Sequence, residues 1–565
     1  MRHVQLIFLF IFLCSCNMQA QQGALGKNNR DNNRFETSKQ LEIFNALVKE
    51  VEMFYVDSIE THKLIRQGID AMLRGLDPYT EYIAEEDLES FRIMTTGEYG
   101  GIGAYIKTRG GGTVITEPFE GMPAAEAGLK AGDVIIAIDT VNTRNIPSNR
   151  VSELLKGVPN TKMTVTVQRP GENAPRKFNL TRKQVVVNQV VHYGVYGNRT
   201  GYIYLQQFTD KSALEVKTAF EDLKKNRLIE SLILDMRGNG GGTLESAVQI
   251  VNLFVPRGKE VLSMKGKLRQ LDRTFRTYNA PVDTEMPLVV LIDEASASAS
   301  EIVAGALQDM DRAVLIGQRS YGKGLVQTPR DLPYDAKVKI TTNKYFIPSG
   351  RCIQQLDYSH RYIDGKVDII PDSLTNVFYT ANGRPVRDGG GIRPDIEVEE
   401  SKLPTMLLYL DYDRDYILFD FITDWVTKHP TITPVSEFNF SDEDYEAFKR
   451  YITGKNFEYD RQSAQALKAL KDVAEFEGYL DEDATLFAAL EEKLKPNLQR
   501  DLERYKKVIK QHISSEIMKR YYYKRGEKQY QLRDDPTFDK ALETLKNKTM
   551  YFNALKPAAK EKTKM

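Results

Sequence analysis

Two short segments hold the side chains best suited to acyl-transfer chemistry. In Asp293-Glu294-Ala295-Ser296-Ala297-Ser298-Ala299-Ser300-Glu301-Ile302 serines alternate with small residues that let a substrate approach closely, and in Gly322-Lys323-Gly324-Leu325-Val326-Gln327 a lysine stands between two glycines. A serine hydroxyl is a poor nucleophile until a neighbouring base takes its proton, and a lysine serves as that base only when its amine is neutral. Burial away from carboxylates lowers an amine's pKa, and no acid follows Lys323 before Asp331. In a strand Lys323, Leu325 and Gln327 would share one face, which would let Gln327 orient the amine.

These residues must be held by regular elements. The apolar run Pro287 to Ile292 reads as a buried parallel strand, so Ser298 falls just past a strand's C-terminal end, where open α/β sheets place their ligands. Ser298 and Glu301 have the spacing of a helix capping box, and Ile302, Val303, Leu307 and Met310 supply an apolar stripe beyond it. Capping and catalysis are compatible at this position, because a helix N-terminus also favours developing negative charge. A second buried strand, Leu232 to Asp235, runs into Met236-Arg237-Gly238-Asn239-Gly240-Gly241-Gly242. Such a turn either only reverses the chain or offers bare N–H groups to an oxyanion.

Together these segments resemble the carboxy-terminal processing (tail-specific) proteases, serine peptidases with a serine-lysine dyad. The likeness extends to Tyr345-Phe346-Ile347-Pro348-Ser349-Gly350-Arg351 and Gly391-Ile392-Arg393-Pro394-Asp395, and covers roughly residues 36 to 400 in the family's order. It implies that Ser298 is the nucleophile, Lys323 the general base and Gln327 the residue that positions the lysine. It also implies an oxyanion hole from the amides of Ala299 and Gly241, and it requires no metal or organic cofactor. Asp309 matches an acid found in some relatives and is read as structural. Ile347 stands where relatives usually carry threonine, and Cys352 follows Arg351; neither departure touches the dyad.

A second module precedes the core. A glycine-rich turn, Gly100-Gly101-Ile102-Gly103, leads into a strand; a hairpin at Gly110 to Gly112 follows, then Gly121 to Leu129 and Gly132 to Ile138. This set resembles a PDZ domain, which adds an extended peptide as a strand and holds its terminal carboxylate on the loop amides. By that resemblance Gly100, Gly101, Ile102 and Gly103 bind peptide, with Ile102 lining a side-chain pocket, and a helix from Asn149 to Leu155 forms the opposite wall.

Other chemistries find less support. Six histidines lie singly, none at metal-ligand spacing, and only His192 and His360 fall where a serine-histidine-aspartate triad could be built. Lys plus Arg and Asp plus Glu both total 78, so no net field favours nucleic acid. Arg2 and His3 precede the mostly apolar run Val4 to Leu13, which is too short to span a bilayer and suits a signal peptide. Leu13-Cys14-Ser15-Cys16 resembles a bacterial lipobox with Cys16 lipidated; cleavage after Ala20 is the alternative. The expected place is the periplasmic side of a bacterial envelope. Three cysteines, two of them in the leader, allow no disulfide framework.

The expected organisation is a multidomain α/β chain. A signal peptide (1–20), a tether (21–35) and an N-terminal helical region (36–89) precede an inserted β-rich PDZ domain (90–185). An α/β core (186–400), crotonase/ClpP-like by the resemblance, and a helical C-terminal domain (401–565) follow. Helical spacing recurs at Gln462 to Glu475 and Ala484 to Val508. That domain could cover the core, mediate self-association or dock an adaptor, and the basic tail Lys556 to Lys564 reads as disordered. The expected activity is endopeptidase cleavage of proteins with exposed C-terminal tails. The alternative is a catalytically silent PDZ scaffold that binds such tails.

Overall fold

The computed structural model describes residues 34–557 apart from 362–366, 400–403, 413–415, 456 and 460–461. The leader with Cys16, most of the tether and the basic tail lie outside the described residues. Two units are distinguished, Met1–Tyr82 and Ile83–Met565. The first contains a helix over 34–54, a second helix Thr61–Arg74, and a turn in which the Asp77 carboxylate accepts from the amides of Tyr79 and Thr80 at 2.8 and 2.7 Å.

The core of the second unit is a six-stranded sheet ordered Val190–Tyr196, Thr200–Leu205, Ser231–Asp235, Leu288–Ile292, Val314–Gly317, Ile396–Glu397. Only the first pair is antiparallel. The apolar run thus contains the strand Leu288–Ile292, flanked by parallel neighbours, and all five of its residues are buried. Successive crossovers of one hand, always advancing in the same direction, put their helices on one face of a sheet. Ser212–Lys225, Leu244–Phe254 and Ala299–Asp309 pack there against Ile203, Leu205, Leu234, Val290 and Ile292.

That arrangement leaves the other face, Tyr202, Ile233, Val289, Leu291, Val314 and Ile316, to be covered from elsewhere. The C-terminal helices Pro536–Lys546 and Lys548–Ala554 cover it with Phe538, Ala541, Leu545 and Tyr551. Of the roles the sequence left open for this domain, covering the core is therefore realised. The rest of the domain encloses its own core, including Phe421, Trp425, Phe440, Phe448, Ile513 and Ile517. The stretch expected to be helical over Ala484 to Val508 is divided into Ala484–Leu494, Leu498–Arg504 and the start of Lys506–Gln531. Pro496 lies in the first gap, where a ring in place of an N–H interrupts the helical ladder.

The PDZ region hangs from a two-stranded stalk, Glu98–Gly101 against Lys183–Val186, which brings its two ends together. Beyond the stalk, Ala104–Arg109, Gly112–Pro118, Val134–Ile138, Lys162–Gln168 and Arg176–Thr181 form one sheet. Ala104–Arg109 pairs on one side only, with Gly112–Pro118, and the helix Ser148–Leu155 lies beside it.

Candidate active site

Three loops meet at the C-terminal ends of adjacent parallel strands: the glycine turn after Asp235, the serine loop after Ile292, and the lysine loop after Gly317. The alternating serines have different jobs. Ser296 Oγ donates to Met236 O at 2.9 Å and Ser300 Oγ to Asn239 O at 2.8 Å, stitching the serine loop to the glycine turn. Both are fully buried. The Ser298 hydroxyl makes no hydrogen bond to that turn, and its residue is only half-buried. Ser298 also takes φ +56° and ψ −111° as the N-cap of Ala299–Asp309, a conformation that costs a non-glycine residue about 1–3 kcal/mol. The bonds made by its two neighbouring serines hold that strain in place.

Capping and site geometry are joined in Glu301. Its carboxylate, 0% exposed, accepts from Ser298 N at 2.8 Å, as the capping spacing predicts. It also accepts from Ser320 Oγ at 2.6 Å, Gly322 N at 2.6 Å and Lys323 N at 2.9 Å. One buried carboxyl group thus binds the backbones of both Ser298 and Lys323. Burial pushes its carboxyl above the usual glutamate range, against the opposing pull of these hydrogen bonds. The sequence signal marks only the helix cap, because the lysine-loop partners lie some twenty positions away.

Lys323 does not lie in a strand as expected; the strand begins at Leu325, and its ladder shifts register between Val326 and Gln327. A chain held at four successive points is not free to pleat. Tyr321 N donates to Ser296 O, Gly322 N and Lys323 N donate to Glu301, and Gly324 N donates to Gln354 Oε1 at 3.0 Å. The flanking glycines are required by crowding: a Cβ on Gly322 would meet Gln355 Cβ at 2.6 Å, and one on Gly324 would meet Gln354 N at 2.7 Å. Lys323 is half-buried. Gln327 Nε2 donates to Thr341 Oγ1 at 3.1 Å.

Gly241 lies against the nucleophile loop. A Cβ there would stand 2.8 Å from Ser298 Cβ and 3.0 Å from Ala299 N, and its φ is +100°. Its own N–H donates to Asn239 Oδ1 at 2.9 Å. Ala299 is the first helical residue, so its N–H has no partner within the helix. Asn239, fully buried, anchors the turn by donating from Nδ2 to Leu205 O at 2.9 Å and by accepting Ala297 N on its carbonyl at 3.0 Å.

The remaining candidates fall elsewhere. Asp309 pairs with buried Arg351 at 2.8 Å and accepts Ser349 N at 2.9 Å, a helix-end clamp consistent with its structural reading. Ile347 is buried in the core, and burial raises the half-buried Cys352 thiol, which disfavours the reactive thiolate. His192 Nε2 contacts Tyr196 Oη at 2.7 Å; burial and the nearby Lys528, Arg525 and Arg227 push its pKa down to about 4. His360 belongs to the strand Leu356–Arg361. No group of three metal-ligating side chains occurs among the described residues. In the PDZ region Gly100 and Gly101 belong to the stalk strand, leaving Ile102 and Gly103 as the loop before Ala104–Arg109; Ile102 is packed in the PDZ core at 3% exposure.

Residues 199–360 match Peptidase family S41, 114–169 a PDZ domain, and 408–545 the C-terminal helical domain of probable PDZ-proteases. The carboxy-terminal-processing protease of Bartonella bacilliformis is 34% identical over 61% of this chain and 80% of its own length. The carboxyl-terminal-processing protease of Synechocystis sp. is 35% identical over 51% of this chain and 68% of its own. The solved photosystem II D1 C-terminal processing protease is 28% identical, covering 64% of this chain and 88% of its own with a TM-score of 0.33. The chain belongs to the carboxy-terminal processing protease family, serine-type peptidases that carry a PDZ domain.

Proposed function

We propose that the chain cleaves peptide bonds through an acyl-enzyme on Ser298, with Lys323 as general base and acid. The observation that carries this reading is the division of labour among the three serines. Ser296 and Ser300 are spent on the glycine turn, while Ser298 is left at a strained helix N-cap and tied through Glu301 to the backbone of Lys323. Ser298 Oγ attacks the scissile carbonyl as Lys323 takes its proton, and the same lysine then protonates the leaving amine and activates the hydrolytic water. Gln327 positions the amine from the adjoining strand. The oxyanion is held by Ala299 N and by Gly241 N, which shares or gives up its bond to Asn239 Oδ1. The chemistry needs no cofactor.

The peptide-binding groove lies between the open edge of Ala104–Arg109 and the helix Ser148–Leu155, with the amides of the Ile102 and Gly103 loop meeting the tail carboxylate. Substrates are proteins of the bacterial envelope with exposed C-terminal tails, reached from the periplasmic side by a form anchored through lipidated Cys16. Purified chain, Ser298→Ala and Lys323→Ala are incubated with casein and with a peptide ending in apolar residues. Cleavage by the wild type alone is expected. Equal cleavage by all three overturns the dyad, and retention of the peptide without cleavage by any favours the scaffold.

A further inference from the structure

The glycine turn is held where it begins, and one holder comes from a distant part of the chain. At its first glycine, Gly238 N donates to both oxygens of Asp293, at 3.0 and 2.9 Å, in the serine loop. At its upstream side stands Arg237, 9% exposed, whose guanidinium is gripped by two carboxylates. Its Nε and Nη2 donate to Asp235 at 3.0 and 2.8 Å, and its Nη1 and Nη2 donate to Asp535 at 3.0 and 2.7 Å. Asp235 ends the strand that feeds the turn; Asp535 begins the C-terminal helix Pro536–Lys546.

We propose that Asp535 is a positioning residue for catalysis, setting the glycine turn through Arg237, so that the C-terminal helical domain forms part of the catalytic apparatus. The inference rests on the dyad reading and on the turn's part in the oxyanion hole.

Two observations separate this role from simple domain adhesion. The C-terminal helices already have an apolar attachment, with Phe538, Ala541, Leu545 and Tyr551 packed on the sheet. A buried ion pair adds little to such an attachment, because desolvation offsets much of its attraction. What a bidentate pair supplies is direction. It fixes the Arg237 side chain one residue before a turn whose backbone at Gly238, Gly241 and Gly242 takes φ of +71°, +100° and +146°. The stretch leading to Asp535 also touches other parts of the molecule. Lys528 Nζ lies 3.9 Å above the Tyr204 ring, Lys524 donates to Gln206 Oε1 at 3.3 Å, and Arg525 donates to Glu120 of the PDZ region at 2.9 and 3.0 Å. The residues that carry the clamp are thus continuous with those that hold the PDZ region.

Asp535 has a second duty, since its Oδ1 accepts Thr537 N and Phe538 N at 3.0 Å each as a helix cap. Asn and Ser cap helices about as well as Asp but cannot pair bidentately with a guanidinium. Asp535→Asn and Asp535→Ser in the full chain therefore break the clamp and keep the cap. Displacing an oxyanion donor by about an ångström costs on the order of a hundredfold. The expected result is a kcat per folded molecule lower by about tenfold to a hundredfold in both variants, with KM within about twofold, beside a lower unfolding midpoint because one partner of a buried pair is removed. As a control, Phe538→Ala should lower the midpoint while keeping kcat per folded molecule. A kcat within twofold of wild type in both Asp535 variants, or a loss that follows only the unfolded fraction, overturns the proposal. If Ser298→Ala is inactive while the Asp535 variants keep wild-type kcat, only the clamp fails; an active Ser298→Ala removes the dyad reading itself.

Discussion

Replacing Glu301 by Gln tests whether one buried carboxylate sets the geometry of both reactive loops. The two oxygens divide four donors: Oε1 takes Ser320 Oγ and Gly322 N, and Oε2 takes Ser298 N and Lys323 N. Gln keeps one acceptor oxygen. With that oxygen toward Ser298 and Lys323, its amide NH2 can donate to a rotated Ser320 hydroxyl, but Gly322 N is left buried without a partner. An unsatisfied buried donor costs about 1–3 kcal/mol, and the other bonds weaken as the charge is lost. Relief from burying a charge offsets part of this, so the net destabilisation is about 1–3 kcal/mol. Burial raises the Glu301 carboxyl above its ordinary 4.5. Its stabilising contribution is therefore fully present below 4.5 and is lost as pH rises through the raised value, so the Gln variant's deficit narrows as pH rises through that value. Urea unfolding from pH 4 to 7 measures the deficit, and peptide cleavage at saturating and limiting substrate measures the site. At neutral pH kcat is expected to fall at least about tenfold, because the lysine loop loses an anchor and small misplacements of reacting groups are costly. Stability and kcat both within error of wild type would refute the bridging role.

Three further outcomes follow from particular side chains. Lys323→Arg should abolish turnover while leaving the fold intact, since a guanidinium stays charged near neutral pH; residual cleavage above a few per cent of wild type in a peptide assay would contradict the base assignment. Gly241→Ala places a methyl group 2.7 Å from Ala297 O at φ +100°, so kcat should drop by about a hundredfold or more, read in the same assay; a twofold change would show that the turn yields easily. His192, with its pKa down to about 4, is neutral in the folded chain and charges first in the unfolded one. Stability present above pH 6.5 is therefore lost as pH falls toward 4, by on the order of 2–3 kcal/mol, and His192→Asn should flatten that part of the urea-stability profile.

What the sequence revealed and what it hid have physical reasons. The strand Leu288–Ile292, the helix cap at Ser298 and the crowded glycines around Lys323 are written in local pattern, and each appears where that pattern places it. The strand face expected for Lys323 and Gln327 does not form, because bonds from Ser296, Glu301 and Gln354 hold the lysine loop off the ladder. Such bonds join residues far apart in sequence, so no periodicity announces them. For the same reason Glu301 reads as a cap alone, and Asn239 as one polar residue in a glycine run. The pairing of Arg237 with Asp535 spans 298 positions and leaves no trace in spacing. The bare second face of the sheet follows from crossover handedness once the strand order is known, but which segment covers it does not.

The identity of the nucleophile is tested most directly by covalent labelling. The full chain, treated at neutral pH with a fluorophosphonate that phosphonylates activated serines with loss of fluoride, is digested and mapped by mass spectrometry. A single adduct on Ser298, formed at least about a hundredfold more slowly in Lys323→Ala, is the expected result. An adduct on Ser296 or Ser300, or one on Ser298 that forms equally fast without the lysine, would contradict the account.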